Sequence, residues 1–138
     1  MRLGIFMPAR LGSERLPNKL LLPLGDSSLW EMACAKLDSI SDEYDKYVLV
    51  RDQELIDIAK KYPSIKIIIR DEKSTLVDGP LTVTFGGVKD MESTHLMFLN
   101  PCLSFLTKET IEDALEYAEE CGADYMTSVK LFNNWLFN

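Results

Sequence analysis

The chain has 138 residues, of which 46% are hydrophobic, so it suits a single domain that is able to bury a core. Its formal net charge of −7 excludes a general nucleic-acid-binding surface, because an acidic protein repels a phosphate backbone. The three cysteines, Cys34, Cys102 and Cys121, form no C-x-x-C pair, which excludes a disulfide framework and a zinc site and predicts a cytoplasmic protein.

The first predicted element is a short buried strand from Leu3 to Met7. The run is apolar, and Pro8 ends it because proline cannot donate a hydrogen bond to the next rung of a sheet. It is too short for a signal peptide, and no other apolar stretch reaches the length of a bilayer span. We therefore expect no membrane association.

The loop after this strand is basic in an otherwise acidic chain. Arg10, Arg15 and Lys19 lie along it with one acid, Glu14. Open α/β sheets bind ligands at such a loop, and Gly12 lets backbone N–H groups approach an anion, so the three cations can surround a polyphosphate. The alternative is a solvated basic loop. Composition alone supports both equally, since neither G-x-x-x-x-G-K-[ST] nor G-x-G-x-x-G occurs.

The rest of the chain alternates predicted helices and strands. Apolar spacing and capping residues predict helices over Leu29–Leu37, Gln53–Tyr62, Leu81–Asp90 and Thr107–Glu120, the last capped by Gly122. Apolar runs predict buried strands at Tyr47–Val50, Ile65–Ile69, His95–Leu99 and Tyr125–Val129. The alternation predicts a mostly parallel sheet with helices on both faces, and it places the basic loop beside the loops after Ile69 and Leu99.

The basic loop also resembles a known family signature. Residues 8–19, PARLGSERLPNK, resemble the P-A-R-x-G-S-x-R-L-P-x-K motif of the cytidylyltransferases that activate acidic sugars, such as acylneuraminate (CMP-sialic acid) synthetases. Residues 20–25, LLLPLG, are similar to the spore-coat-polysaccharide branch of that superfamily. Later segments follow the same family in order, at residues 48–62, 69–72, 99–107 and 122–129, so the resemblance spans nearly the whole chain.

The resemblance implies a fold and an activity. The fold would be a Rossmann-like open sheet of the nucleotide-diphospho-sugar transferase type, which is GT-A-like. The activity would be the transfer of CMP from CTP to an acidic sugar such as a sialic acid, with release of pyrophosphate. Mg²⁺ would be the cofactor. We expect no nucleic-acid partner.

The resemblance also implies roles for particular residues. Arg10 and Lys19 would be the catalytic cations, and Asn100 and Cys102 would contact the sugar. The nucleotide would be bound by Ala9, Arg10, Leu11, Gly12, Ser13, Arg15, Lys19 and Arg70. The alternatives are surface salt bridges for the cations, a turn cap for Ser13 and simple exposure for Arg70. Asp78 is either a cap for the following helix or a ribose contact, and we favour the cap.

The sequence departs from the family pattern in the loop after the predicted fourth strand. It has Asn100 for Gln, Cys102 for Thr and Leu106 for Arg, and after the basic motif it has Leu20 where sialic-acid synthetases have Asn. Contacts to an acidic sugar are therefore reduced. We interpret Cys102 as a buried thiol and His95, the only histidine, as structural.

The family domains continue beyond the predicted fifth strand into a sugar-binding, dimer-forming hairpin region and a late acidic motif that holds magnesium. This sequence contains no such motif, so it is expected to be shortened at the C-terminal side, and its metal ligands stay unassigned. The apolar residues of 130–138 are expected to dock on a second copy or a partner chain. The rival hypotheses are a nucleotide-binding domain without turnover that acts with a partner, and a preference for UTP or GTP with a neutral sugar.

Overall fold

The structure, a computed structural model, describes residues 1–75 and 80–131. Within these ranges the strands are β1 (Leu3–Pro8), β2 (Pro23–Leu24), β3 (Ser27–Ser28), β4 (Asp45–Val50), β5 (Lys66–Ile69) and β6 (His95–Phe98). The α-helices are α1 (Leu29–Ser39), α2 (Gln53–Ala59), α3 (Leu81–Thr84) and α4 (Lys108–Cys121). None of these helices is long and apolar enough to cross a membrane.

The central sheet has the strand order β5-β4-β1-β6, and all its neighbouring strands are parallel. Ile5 on β1 pairs with Lys46 on β4 and with Met97 on β6. The chain moves from β1 to β4 and β5 on one side and then places β6 on the other side. The loops that follow β1 and β6 therefore lie next to each other at the carboxyl edge, where open α/β sheets form a ligand crevice.

Apolar side chains cover both faces of this sheet, because successive residues of a strand point to opposite faces. On one face Ile5 and Met7 pack in a core with residues of α1, α2 and α4, including Trp30, Leu37, Leu55, Ile56, Ile111 and Leu115. On the other face Phe6, Tyr47 and Leu49 pack against Phe85, Val88 and Met91. The predicted α/β fold with a parallel sheet covered on both faces is confirmed.

The helix ends follow the sequence signals. The Ser28 hydroxyl accepts a hydrogen bond from the Glu31 N–H at 3.2 Å and caps α1. The Thr107 hydroxyl accepts from the Thr110 N–H at 3.2 Å and caps α4, and Gly122, with φ 59°, caps its C-terminal end. Each cap satisfies a backbone group that the helix itself leaves without a partner.

Two predicted helices are shorter than expected. α2 ends at Ala59 rather than Tyr62, and Lys60 and Lys61 form a turn. The predicted helix over Leu81–Asp90 is divided into α3 and a 3₁₀ helix, Gly86–Asp90. The Gly86–Gly87 pair explains the division, since glycine loses more backbone freedom in a helix than other residues do.

The predicted fifth strand over Tyr125–Val129 is wrong. Within the described ranges this segment has no strand pairing, and Tyr125 and Val129 are 81% and 80% exposed. A strand needs both a pairing partner and apolar cover for its side chains, and within the described ranges this segment has neither. The predictions for Asp78 and for the apolar tail from Phe132 onward lie outside the described residues.

A polar network joins the strands at the amino edge of the sheet. The Asp45 carboxylate accepts hydrogen bonds from Arg2 Nε at 2.7 Å, Ser93 Oγ at 2.8 Å and Lys66 Nζ at 3.2 Å. The Arg2 guanidinium is the main cause that lowers the pKa of Asp45 to about 2, with Ser93 and Lys66 contributing. This single carboxylate therefore ties β4 to the beginnings of β1 and β5 and to the segment before β6.

We expect the stability of the protein to depend on Asp45 in acid. Because its pKa is depressed in the folded state, its stabilising contribution is present above the ordinary aspartate pKa of about 4 and is lost as the pH falls toward 2. The free energy of unfolding of the wild type should therefore fall between about pH 4 and pH 2. In Asp45→Asn that decrease should be smaller. Urea denaturation across this pH range measures the decrease for each protein. Equal decreases in the wild type and in Asp45→Asn would show that Asp45 is not the source of the acid sensitivity.

Candidate active site

A cleft of about 690 Å³ opens at the carboxyl edge of the sheet. The last residues of β1 and β6, Pro8 and Phe98, line it, as does Arg70, which directly follows β5. The other lining residues are Ala9, Arg10, Ser13, Glu14, Arg15, Leu16, Lys19, Leu20, Leu81, Thr84, Phe85, Asn100, Pro101 and Cys102. The cleft thus occupies the crevice that the strand order creates.

The charge of the cleft is opposite to that of the chain. In the part of the chain that the structure describes, its charged lining residues are the four cations Arg10, Arg15, Lys19 and Arg70 and the single acid Glu14. The whole chain has 15 basic and 22 acidic residues. Because the positive charge is concentrated in one small concave site, the arrangement favours a compact anion over an extended polyanion.

Arg70 is the most deeply buried of these cations. Its guanidinium donates to the carbonyl oxygen of Ala9 at 3.2 Å, to that of Thr84 at 3.3 Å, and to both the hydroxyl, at 3.2 Å, and the carbonyl of Ser74. Burial lowers the pKa of Arg70, the neighbouring Arg10 lowers it further, and Asp52 opposes them. Arg70 therefore holds the end of β1, the Glu72–Thr75 turn and α3 together around one buried positive charge.

Arg10 is half-buried and contacts the same turn. Its Nη1 atom donates to the carbonyl oxygen of Thr75 at 2.7 Å. The remaining N–H groups of its planar fork have the geometry that phosphate oxygens bind. Arg10 thus lies between the first loop and the Glu72–Thr75 turn, with its charge on the cleft.

Lys19 reaches the cleft because of a backbone turn at Asn18. Asn18 has φ 55°, a left-handed conformation that asparagine tolerates better than most residues do. The 3₁₀ helix Lys19–Leu21 follows directly, with Leu20 buried beneath it. Burial of Leu20 anchors this turn and leaves Lys19 on the cleft lining.

Leu11 and Gly12 are the two predicted nucleotide-binding residues that do not line the cleft. The Leu11 side chain packs against the main core, and its backbone N–H donates to Asp52 Oδ2 at 3.1 Å. A Cβ atom added to Gly12 would meet nothing within 4 Å. All the other predicted site residues, Ala9, Arg10, Ser13, Arg15, Lys19, Arg70, Asn100 and Cys102, lie on the cleft lining.

Sequence reasoning missed the apolar wall of the cleft. The rings of Phe6, Phe85 and Phe98 contact one another with centroids 5.5 to 5.7 Å apart, and Phe98 is 51% exposed on the lining. Leu81 and Thr84 extend this wall. Aromatic surface beside a cationic wall suits a ligand with a planar or apolar ring attached to an anion. The sequence signal that could have indicated this wall is Phe98, an aromatic residue only two positions before the predicted site residue Asn100.

The third side of the cleft is the loop after β6. The Asn100 side-chain oxygen accepts from the Cys102 N–H at 2.9 Å, which closes a tight turn. Lys36 of α1 donates to the carbonyl oxygens of Leu103 and Ser104 at 2.9 and 3.1 Å and anchors the same loop. Cys102 is half-buried and lies on the lining.

The donor groups of the cleft do not form a protein-built metal site. No group of three or more His, Cys, Asp or Glu side chains that could hold a metal ion occurs in residues 1–75 and 80–131. Among the described residues, Glu14 is the one carboxylate on the lining. Magnesium usually requires carboxylates and water together with substrate phosphates, so these residues alone do not fit it.

The chemistry available in this cleft is electrostatic. His95, the only histidine, pairs with Leu3 at the amino edge of the sheet, opposite the cleft, so it provides no base for Cys102. The lining cations can instead bind a polyphosphate and stabilise the charge that develops when a phosphoryl bond breaks. The fold and the cleft together are those of an α/β domain of the nucleotidyltransferase type.

The chain belongs to the cytidylyltransferase family, since the sequence profile of that family, described as Cytidylyltransferase, matches residues 5–132. No curated protein matches the sequence. One similar solved structure is a CMP:2-keto-3-deoxy-manno-octonic acid synthetase complexed with CTP. It has a TM-score of 0.70 and 18% identity over 89% of this chain and 49% of the other.

A second similar structure is a cytidylyltransferase from Leptospira borgpetersenii serovar Hardjo-bovis (strain JB197). It has a TM-score of 0.65 and 20% identity over 85% of this chain and 48% of the other. At these identities the similarity establishes the fold. This chain spans about half the length of each of these two proteins.

Proposed function

We propose that this chain binds CTP in the cleft and transfers CMP from it to an acidic sugar, such as a sialic acid, with release of pyrophosphate. The observation that carries the proposal is the set of four cations on a cleft at the sheet's switch point, in a chain of the cytidylyltransferase family. The similar structure that is complexed with CTP supports the choice of nucleotide.

In the proposed reaction a sugar hydroxyl oxygen forms a bond to the α-phosphorus of CTP. The bond from that phosphorus to the bridging oxygen breaks, pyrophosphate leaves, and the hydroxyl proton passes to water. Arg10 and Lys19 stabilise the negative charge on the phosphate oxygens, while Ala9, Ser13 and Arg15 complete the phosphate side of the cleft. Positioning and charge account for the rate enhancement, because the reaction requires no protein nucleophile.

The acceptor sugar is assigned to the Asn100 and Cys102 side of the cleft. Asn100 is exposed, and its amide nitrogen is available to a sugar oxygen while its side-chain oxygen closes the turn. Phe98 lies directly before this loop and presents a ring to the same cleft. The ring can pack against the C–H groups of a sugar or against the base.

The alternative function is nucleotide binding without turnover, as part of a larger assembly. It is favoured by one observation, that the described residues offer no cluster of metal ligands. A preference for UTP or GTP is the second alternative. A cytoplasmic location and self-association through the apolar tail stay predictions, the first supported by the three free cysteines.

The test is a pyrophosphate-release assay with CTP, Mg²⁺ and a panel of acidic sugars, alongside a thermal-shift titration of CTP, UTP and GTP. The proposal predicts turnover that requires both CTP and one of the sugars. A CTP-specific thermal shift without turnover would support the binding-only alternative, since a ligand stabilises only through its affinity for the folded state. If UTP or GTP gave a larger thermal shift than CTP, that nucleotide and not CTP would be the ligand of the cleft.

We expect a bound nucleotide to protect Cys102 from alkylation. Iodoacetamide should label Cys102 on the cleft and Cys121 on the surface, but not Cys34, which is fully buried and whose pKa burial raises to about 12. Saturating CTP should slow labelling at Cys102 alone, and mass spectrometry of the peptides measures the rate at each site. Cys121 is the internal control. Equal rates at Cys102 with and without CTP would place the nucleotide elsewhere.

A further inference from the structure

Asp52 uses its carboxylate in an unusual way for its position. It precedes α2, and its backbone carbonyl accepts from the N–H groups of Leu55 and Ile56, both at 3.1 Å. An aspartate at this N-cap position normally turns its side chain onto its own helix. Here the side chain makes no capping hydrogen bond, and Oδ2 accepts instead from the backbone N–H of Leu11 at 3.1 Å.

Leu11 is the point at which the basic loop is held. Its carbonyl oxygen accepts from the N–H groups of Ser13 at 2.8 Å and Asn18 at 3.4 Å, so it ties the middle and the end of the loop together. Its side chain packs against the core, and its N–H is the group that Asp52 binds. Arg10 precedes this anchor and Ser13 lies two residues after it, and both line the cleft.

The charge of Asp52 does not compete with the proposed ligand. Asp52 is not on the cleft lining, and its carboxylate accepts a hydrogen bond from the backbone N–H of Leu11, which does not line the cleft either. At the same time its negative charge raises the pKa of the buried Arg70, against the stronger effect of burial. Asp52 therefore contacts the loop through the backbone and favours the charged form of a cation that lines the cleft.

We propose that Asp52 is a positioning residue, which orders the basic loop for an incoming triphosphate by holding the Leu11 N–H. The proposal rests on the proposed function for its ligand, but the hydrogen bond itself can be tested without any ligand. A preorganised loop binds more tightly than one that must be ordered on binding, because the ordering then costs part of the affinity.

The experiment compares the wild type with three variants at this position. Asp52→Ala removes the acceptor, and Asp52→Ser keeps a capable helix cap but is too short to reach Leu11. Asp52→Asn keeps a carbonyl oxygen for the Leu11 N–H and removes the charge. Asp57→Ala is the matched control, since Asp57 is an exposed aspartate on the same helix that bonds only to Gln53 among the described residues.

The first measurement is hydrogen exchange of the Leu11 amide without ligand, and the second is the dissociation constant for CTP by calorimetry. We expect Asp52→Ala and Asp52→Ser to lose protection at Leu11 and to weaken CTP binding about tenfold or more, as for loss of a hydrogen bond to a charged group. Asp52→Asn and Asp57→Ala should keep both properties within about threefold of the wild type.

Three outcomes would overturn the proposal. Protection at Leu11 that survives in Asp52→Ala would show that the carboxylate does not hold the loop. If Asp52→Asn lost as much protection and CTP affinity as Asp52→Ala, the charge of Asp52 and not its hydrogen bond would order the loop. Lost protection with unchanged CTP affinity would show that the loop does not need ordering. If the wild type binds no CTP, the proposed function fails, and retained exchange protection in Asp52→Ala would separately refute the anchoring.

Discussion

Replacing Arg10 with alanine is expected to lower CTP-dependent pyrophosphate release by about a hundredfold or more, as for removal of one preorganised charge-stabilising donor. Arg10 offers a planar fork on the cleft lining, held in place by its hydrogen bond to the Thr75 carbonyl. Arg10→Lys should recover only part of the rate, because an ammonium keeps the charge but not the paired donors. A coupled pyrophosphate assay at saturating CTP measures the effect.

The matched control for Arg10 is Lys60→Ala. Lys60 is an exposed cation just after α2, away from the cleft lining, so its removal changes the net charge by the same amount. The rate of pyrophosphate release by Lys60→Ala should stay within about twofold of the wild-type rate, as for surface substitutions in general. If Arg10→Ala and Lys60→Ala were equally active, Arg10 would have no role in catalysis.

Replacing Arg70 with methionine is expected to lower the free energy of unfolding by about 3 kcal/mol, since buried acceptors that lose their donor are costly. Arg70 is 5% exposed, and its guanidinium serves the carbonyl oxygens of Ala9, Ser74 and Thr84 together with the Ser74 hydroxyl. Methionine fills similar space but donates to none of them. Urea denaturation followed by circular dichroism measures the change.

Arg51→Met is the control for the same change of side chain. Arg51 is exposed and donates one hydrogen bond, to the Arg70 carbonyl at 3.3 Å, so its loss should cost about 1 kcal/mol or less. The free energy of unfolding of Arg70→Lys should lie between those of Arg70→Met and the wild type, because an ammonium cannot reach acceptors in all the directions that the guanidinium does. Equal stability of Arg70→Met and Arg51→Met would mean that Arg70 does not organise the cleft.

The fold was largely predictable because its signals are local. The apolar runs that became β1, β4, β5 and β6 are short and bounded by proline, charge or turn residues, and Ser28, Thr107 and Gly122 cap helices as their types suggest. The segment over Tyr125–Val129 has a strand-like composition too. Whether it pairs depends on a neighbouring edge and on cover from elsewhere, which composition does not report.

The candidate site was predictable where one loop encodes it. Arg10, Arg15 and Lys19 lie on the cleft because the loop that carries them follows the first strand. The Leu11 N–H is engaged by Asp52, 41 residues away in sequence, and no local pattern signals that contact. Phe85 and Phe98 were missed for the same reason, since their contact joins a residue beside α3 to the end of β6.

Calorimetric titration of the wild-type chain with CTP, UTP, GTP and ATP in Mg²⁺ buffer measures whether the cleft is a CTP site. We expect one CTP bound per chain with a dissociation constant of about 1 μM to 1 mM, in the range of enzyme substrates, and weaker binding of the other three. No heat with CTP, or equal affinity for all four nucleotides, would contradict it.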